Sequence, residues 1–284
     1  MARQFAWWAR EFNTRMKTQL RVAVLACVAA VLLLGTGCNK LRARDQLNKG
    51  VQSYKNARFE EAIEHFKNAV NLDPNLGVAR LYLATAYVGQ FVPGVDTPEN
   101  KRYAEQAIEQ YQTVLKIKPD DVLSLKGLAS LYFNMKDFDR AKGYHRKVLE
   151  KDPNDPETYY SIGVIDWTQA YQPRMEIRNR LGLKQEEPIK DKKACEELRG
   201  KNQDRIKEGI DMLQRALELR QDYDDAMAYM NLLYREKADI DCGDDAQRQA
   251  DLKTADEWVE KTMITKRAKA EKQNQPGGIV MENK

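Results

Sequence analysis

The sequence contains few of the residues on which catalytic and metal sites depend. Its 284 residues include only two histidines and four cysteines. It has no Cys/His metal cluster, no Walker-type loop, no nucleophile elbow and no GxGxxG turn. His65 and His145 fall on helical stretches where a packing side chain is expected, so we interpret both as partly buried helix residues. These absences argue against an enzyme, and we predict neither a metal nor a cofactor.

Concentrated charge of one sign is also lacking. Charged residues make up 32% of the chain, but the net charge is only +4 because basic and acidic residues are interspersed. A nucleic-acid binder usually concentrates Lys and Arg on one face, so we predict no nucleic-acid partner. Acidic pairs such as Asp224-Asp225 and Asp244-Asp245 lie at helix starts, where carboxylates cap free amides. We prefer that capping role to a calcium or acid–base role.

Only one long apolar run stands out, Val22 to Leu34, with Arg15, Lys17 and Arg21 before it. At about 13 residues this run is shorter than the roughly 20 residues that a membrane-spanning helix needs. Its length and basic flank are typical of a secretory signal peptide. Met16 is an alternative start of the chain.

The apolar run ends in the segment LGTGC, residues 34–38. This segment resembles a bacterial lipoprotein signal, in which small residues precede a cysteine that is lipidated and becomes the new N-terminus. The resemblance implies a signal peptide over residues 1–37, lipidation of Cys38, and a short linker over residues 38–42. Gly35 departs from the leucine usual at that place. Secretory cleavage after Gly37 and an uncleaved anchor are the alternatives.

The same resemblance implies a cellular location. Acyl chains on Cys38 would hold the protein at a membrane surface of the bacterial cell envelope, facing the periplasm. Asn39 resembles the pattern that is sorted to the outer membrane. The alternative is a soluble periplasmic or secreted protein.

A repeated pattern organises the rest of the sequence. Ala141 and Pro153 recur about 34 residues upstream as Ala107 and Pro119, and Pro74 closes an earlier copy. A fixed period of this length indicates a stacked array of helix pairs.

The copies resemble tetratricopeptide repeats, over roughly residues 43–262. In the clearest copy the resemblance rests on apolar and small residues in two helical runs: Leu125, Leu128, Ala129, Tyr132, Phe138, Ala141, Tyr144, His145, Val148 and Leu149. The resemblance implies an all-α fold, an α-solenoid of antiparallel helix pairs wound into a right-handed superhelix. Gly50 and Ala62 would be small because the helices of the first pair cross there.

We predict an array of about four to five helix pairs over residues 43–265. Insertions interrupt it at about residues 91–101 and 169–204. Pro188 is expected to start a long helix that reaches Leu219. Residues 266–284 are rich in Lys, Glu, Gln and Asn and are predicted to be a disordered tail.

Two cysteines remain once Cys27 is removed with the signal and Cys38 is lipidated. Paired cysteines in an exported protein favour a disulfide. The repeat register places Cys195 and Cys242 at nearly the same height on adjacent outer helices, so we predict that they are bonded. Two free thiols too far apart to bond are the alternative.

The first helix of each pair is expected to line a concave groove. The residues predicted to bind a partner there are Tyr54, Lys55, Leu81, Val88, Lys126, Phe133, Asn134, Tyr160 and Trp167. Exposed aromatic residues of this sort anchor peptides. Alternatively, some of them pack against a neighbouring repeat or an insertion.

These observations favour a cell-envelope lipoprotein that acts as a protein–protein interaction scaffold or assembly factor and binds a partner peptide or helix. The alternative is a periplasmic binding protein for a small ligand, such as a glycan or a peptidoglycan fragment. That function would need a closed polar pocket between the insertions and the groove. The sequence does not indicate an oligomeric state.

Overall fold

The computed structural model describes residues 38–184 and 187–273, which are mostly helical. The signal peptide predicted over residues 1–37 and the end of the predicted tail, residues 274–284, lie outside this part of the chain. Within the described ranges there is no β-strand, and no helix has the length and apolar character needed to cross a membrane. The chain divides into two compact units, and the boundary along the sequence lies between Pro119 and Asp120.

The first unit holds two helix pairs. The described helices are α1 (residues 38–55), α2 (Phe59–Leu72), α3 (Gly77–Gln90) and α4 (Pro98–Ile117). Because α1 is already helical at residue 38, the linker predicted over residues 38–42 is part of this helix.

The close crossing predicted for the first pair is confirmed. A Cβ atom at Gly50 would lie only 2.5 Å from Cε1 of Phe66. Ala62 and Phe66 are both fully buried. The glycine is needed because any side chain at this place would displace the Phe66 ring.

The first predicted insertion forms a loop and also lengthens a helix. The loop covers residues 91–97, and α4 begins at Pro98, where the Thr97 side chain accepts a hydrogen bond from the Asn100 backbone amide. The Asn100 side-chain amide donates to the Val92 and Val95 carbonyls, and its oxygen accepts from the Val92 amide. One buried asparagine side chain therefore satisfies three backbone groups of the loop.

The second unit holds three helix pairs within its described residues. They are α5 (Val122–Asn134) with α6 (Phe138–Lys151), α7 (Pro156–Leu181) with α8 (Lys192–Leu219), and α9 (Asp224–Ala238) with α10 (Asp245–Gln273). Its apolar core joins α7, α8 and α9, through residues such as Ile177, Leu198, Leu213, Met230 and Leu233.

The second predicted insertion is mostly helical. Its first part extends α7 to Leu181, and Pro173 lies inside this helix. The long second helix begins at Lys192 and not at Pro188, because the Asp191 side chain caps it by accepting from the Ala194 amide at 2.7 Å.

The structure also corrects the predicted tail, because residues 266–273 continue α10. The Lys269 ammonium lies 2.6 Å from a carboxylate oxygen of Asp224 at the start of α9. Thr265, one turn earlier, contacts the Met227 sulfur at 3.5 Å. The charged composition suggested a solvated tail, but contacts with α9 hold this end of the helix.

Candidate functional site

The predicted partner-binding residues divide between the two units. Tyr54 and Lys55 end α1 in the first unit, and Leu81 and Val88 lie on α3. Lys55 is exposed, and the other three are half-buried. The Tyr54 ring meets the edge of the Phe59 ring at 5.3 Å between centroids. Its contact is therefore with the second helix of its own pair.

The second unit repeats this arrangement on α5. The Phe133 ring contacts the Phe138 ring edge-on at 5.8 Å. Asn134, the last residue of α5, is half-buried. Lys126 is not available as a free cation, because its ammonium lies 2.5 Å from the carboxylate of the buried Asp155.

Tyr160 and Trp167 belong to a larger aromatic cluster on α7 and α9. Tyr160 lies 5.0 Å from Tyr223 and 5.7 Å from Tyr229, measured between ring centroids. Trp167 lies 5.4 Å from Tyr229 and 5.2 Å from Tyr171. Four of these rings are partly exposed, whereas Tyr223 is buried. We call these five residues the aromatic cluster.

Tyr171, Tyr223 and Tyr229 were missed at the sequence level. Tyr171 could have been found because it follows Trp167 by one helical turn, so both rings lie on the same face. Tyr229 could not have been found from the sequence, because only the packing of α9 against α7 brings its ring to Trp167.

A cavity of about 580 Å³ opens beside the aromatic cluster, among α7, α9 and α10. Trp167 and Tyr171 form one wall, and Leu232 and Leu252 add apolar surface. Most of the other lining residues are charged or polar: Arg174, Arg235, Glu236, Asp239, Arg248, Gln249, Lys253 and Asp256. Its size is typical of small-molecule pockets.

Buried ion pairs involve three lining residues of this cavity, Arg174, Glu236 and Asp239, which we call its floor. Arg174 Nε and Arg178 Nη1 lie 2.6 and 2.7 Å from the same carboxylate oxygen of Asp239. Arg178 is only 1% exposed, and it also donates to the carbonyls of Lys184 and Glu187. The two arginines thus connect α7, the end of α9 and the loop before α8.

Glu236 is the least compensated group of the floor. It is 2% exposed, and Arg174 Nη1 lies 3.4 Å from its Oε1 atom, a long contact. Among the described residues, Oε2 has no hydrogen-bond partner. Burial raises the pKa of Glu236 to about 7, against the opposing effect of Arg174.

A second buried ion network joins α6, α7 and α8. The Lys142 ammonium lies 2.5 Å from Asp166 and 2.6 Å from Glu208, and Arg146 pairs with the other oxygen of Glu208. Burial raises the pKa of Asp166 to about 6, although Lys142 opposes the shift. This network lies in the interface of α6, α7 and α8, where each charge has a partner of opposite sign.

The two histidines are placed as the pattern indicated. His65 lies 2.8 Å from the Gln46 side chain on α1. His145 is buried in α6, and burial lowers its pKa to about 4, so its ring is neutral at neutral pH. In the part of the chain that the structure describes, no cluster of three His, Cys, Asp or Glu side chains could hold a metal ion.

The structure brings Cys195 and Cys242 together. Their sulfur atoms lie 2.08 Å apart and their Cα atoms 5.5 Å apart, within the range that a disulfide spans. The bond joins the first turn of α8 to the connection between α9 and α10. Cys38, the predicted lipidation site, is an exposed free cysteine.

Comparison with known proteins identifies the fold. Residues 102–162 match the family model described as tetratricopeptide repeat. A MamA RS-1 ArsTM double mutant superposes with a TM-score of 0.55 at 17% identity, covering 80% of this chain and 96% of that one. MamA 41-end from Desulfovibrio magneticus RS-1 gives a TM-score of 0.53 at 16% identity, with the same coverage of 80% and 96%. At this identity the likeness shows the fold alone: an all-α solenoid of tetratricopeptide-repeat type.

Two curated relatives match shorter parts of the sequence. Hsp70-Hsp90 organizing protein 2 of Arabidopsis thaliana is 28% identical over 150 residues, 53% of this chain and 23% of its own length. Photosystem I assembly protein Ycf3 of Synechococcus sp. (strain CC9605) is 34% identical over 83 residues, 28% of this chain and 47% of its own length. The chain thus spans less than half of either relative.

Proposed function

We propose that this protein is a cell-envelope lipoprotein that acts as a protein–protein interaction scaffold or assembly factor. The tetratricopeptide-repeat fold supports a role in protein binding, because stacked helix pairs present extended binding surfaces. The two curated relatives are by name an organizing protein and an assembly protein, which agrees with a role of this kind. The lipoprotein-type segment before Cys38 supports a location in the cell envelope.

The aromatic cluster is the observation that carries the protein-binding part of the proposal. Tyr160, Trp167 and Tyr229 bring half-buried rings from α7 and α9 into contact. Aromatic residues are enriched among the residues that dominate binding energies, because a large ring can be buried at little conformational cost. The rings already contact one another, so a partner would meet a surface that is largely ordered beforehand.

Site-specific photo-crosslinking in intact cells tests this proposal. A photoreactive phenylalanine would replace Asp225 on α9 or Ser130 on α5, two exposed residues on first helices. Asp225 lies close enough to Tyr160 and Tyr229 of the aromatic cluster for its charge to act on both. Gln112 on α4 and Glu150 on α6, exposed residues on second helices, serve as matched controls. These positions avoid the packed rings, so the substitutions should leave the fold intact.

We expect an adduct of defined mass with one envelope protein at the first-helix positions and none at the control positions. Equal adducts at all four positions, or none at any position, would contradict a scaffold that binds through its first helices.

A further inference from the structure

We infer that the cavity among α7, α9 and α10 binds a saccharide, through stacking on Trp167 and Tyr171 and hydrogen bonds to its charged rim. This site shares Trp167 and Tyr171 with the aromatic cluster, but its ligand is of a different chemical class, and its test needs no protein partner.

The aromatic wall suits one face of a sugar ring. The Trp167 and Tyr171 centroids lie 5.2 Å apart with 38° between the ring planes, so the two rings form an angled platform. Tyr171 is 37% exposed, so part of its ring is open to solvent. The face of an aromatic ring carries partial negative charge, which attracts the C–H groups on the flat side of a pyranose.

The rim opposite this wall offers both donors and acceptors. Arg235 Nη2 pairs with Asp256 at 2.7 Å and Arg235 Nε donates to Asn231, so this part of the rim carries both N–H donors and carboxylate oxygens. Gln249 and Lys253, both exposed residues of α10, stand nearby on the lining. A hydroxyl group can donate to a carboxylate and accept from an arginine or an amide, and it therefore fits this mixed rim.

The floor adds a buried acceptor. Glu236 lines the cavity, and its Oε2 atom is enclosed by protein and bonds to no described residue, which is costly for a buried polar atom. A turn of the carboxylate toward the cavity would let a ligand hydroxyl bond this oxygen and remove that cost.

A saccharide fits the cavity better than an apolar side chain of a protein partner. Four of the twelve lining residues are aromatic or aliphatic, and eight are charged or polar. An apolar side chain would cover those polar groups and deprive them of water without offering hydrogen bonds. A sugar ring carries C–H faces and a rim of hydroxyls, and it can therefore satisfy both parts of the lining.

Isothermal titration calorimetry with N,N′-diacetylchitobiose tests the inference. Four purified proteins would be compared: wild type, Tyr171→Ala, Tyr171→Phe, and the neighbouring exposed Gln172→Ala as control. We expect saturable binding to wild type, at least a tenfold weaker affinity for Tyr171→Ala, and affinities within twofold of wild type for the other two variants. Circular dichroism would verify that each variant is folded.

A folded Tyr171→Ala variant that binds like wild type would overturn the inference. So would the absence of binding to wild type. The pentapeptide Ala-Ala-Trp-Ala-Ala serves as a competing probe, and binding of this peptide without the disaccharide would make the cavity a peptide anchor instead. Co-sedimentation with insoluble chitin distinguishes a site for an internal unit of a polymer from one for free saccharides.

Discussion

At the scale of single residues, Gly163 shows how tightly α7 and α8 pack. A Cβ atom at this position would lie 2.6 Å from Cγ of Leu213 and 3.2 Å from the Gly209 carbonyl oxygen. The neighbours are a fully buried leucine and backbone, neither of which can move away cheaply. A Cβ atom at Gly200, in α8, would have no neighbouring atom within 4 Å.

These two glycines make a matched pair for a stability test. Gly163→Ala should lower the free energy of unfolding by about 1–3 kcal/mol, because overpacking must shift Leu213 or the helix. Gly200→Ala should raise it by up to about 1 kcal/mol, because alanine favours a helix over glycine. Urea denaturation of both variants gives the two values, and a loss of stability at Gly200 would show that helix propensity does not control that position.

Glu236 predicts a particular dependence of stability on pH. Its pKa is about 7 in the folded protein and near its usual value of 4.5 in the unfolded chain. Between these values the folded protein holds a proton that the unfolded chain has lost, so stability falls as pH rises from about 4.5 to about 7. Each pKa unit corresponds to about 1.4 kcal/mol, which makes the loss on the order of 3 kcal/mol.

The Glu236→Gln variant has no such titration. The stability advantage of wild type over this variant should therefore decrease between pH 4.5 and pH 7 and stay constant at higher pH. Chemical denaturation at several pH values measures this difference. A difference that is independent of pH would mean that Glu236 titrates at its ordinary value in the folded protein.

At the scale of helices, the Cys195–Cys242 bond joins two parts of the fold that are far apart in sequence. The bond closes a segment of 47 residues that includes nearly all of α8 and the whole of α9. Restricting an unfolded segment of this length stabilises the folded state by about 4 kcal/mol in the chain-entropy model. The turn that it holds leads directly into α10, which forms part of the cavity.

Reduction should therefore lower the midpoint of urea unfolding of the wild-type protein. The Cys195→Ser/Cys242→Ser double variant should have the lower midpoint with or without dithiothreitol. Alkylation before and after reduction, followed by mass spectrometry, should show two additional modified cysteines only after reduction. Equal masses in the two samples would exclude the bond.

The sequence did not correctly predict the start of α8 or the end of α10. The start of α8 was expected at Pro188 because proline favours the first helical turn, but the cap is provided by Asp191. The end of α10 was expected near Thr265 because the following residues are charged. Lys269 instead pairs with Asp224, a residue about 45 positions away that no local pattern connects to it.

At the scale of the whole chain, the proposed location in the cell envelope depends on one side chain. Cys38 is exposed and free, and the structure contains no other free cysteine among the described residues. Lipid on this residue would hold the protein at a membrane, because multiple acyl chains give stable anchoring.

Cys38→Ser should therefore move the protein from the membrane fraction to the soluble periplasmic fraction. Metabolic labelling with a radioactive fatty acid should mark wild type and not the variant. Labelling of neither protein, with both in the soluble fraction, would favour ordinary secretory cleavage. The crosslinking and saccharide experiments do not depend on this result.

The sequence by itself determined the helix pairs and the places where they cross. The period of about 34 residues and the small residues Gly50 and Ala62 are local signals, because a helix pair is built from neighbouring residues. The tertiary structure alone decided which side chains meet across pairs. Glu236 lies beside Arg174, and Tyr229 beside Trp167, because α9 packs against α7, and that contact depends on the length and register of whole helices.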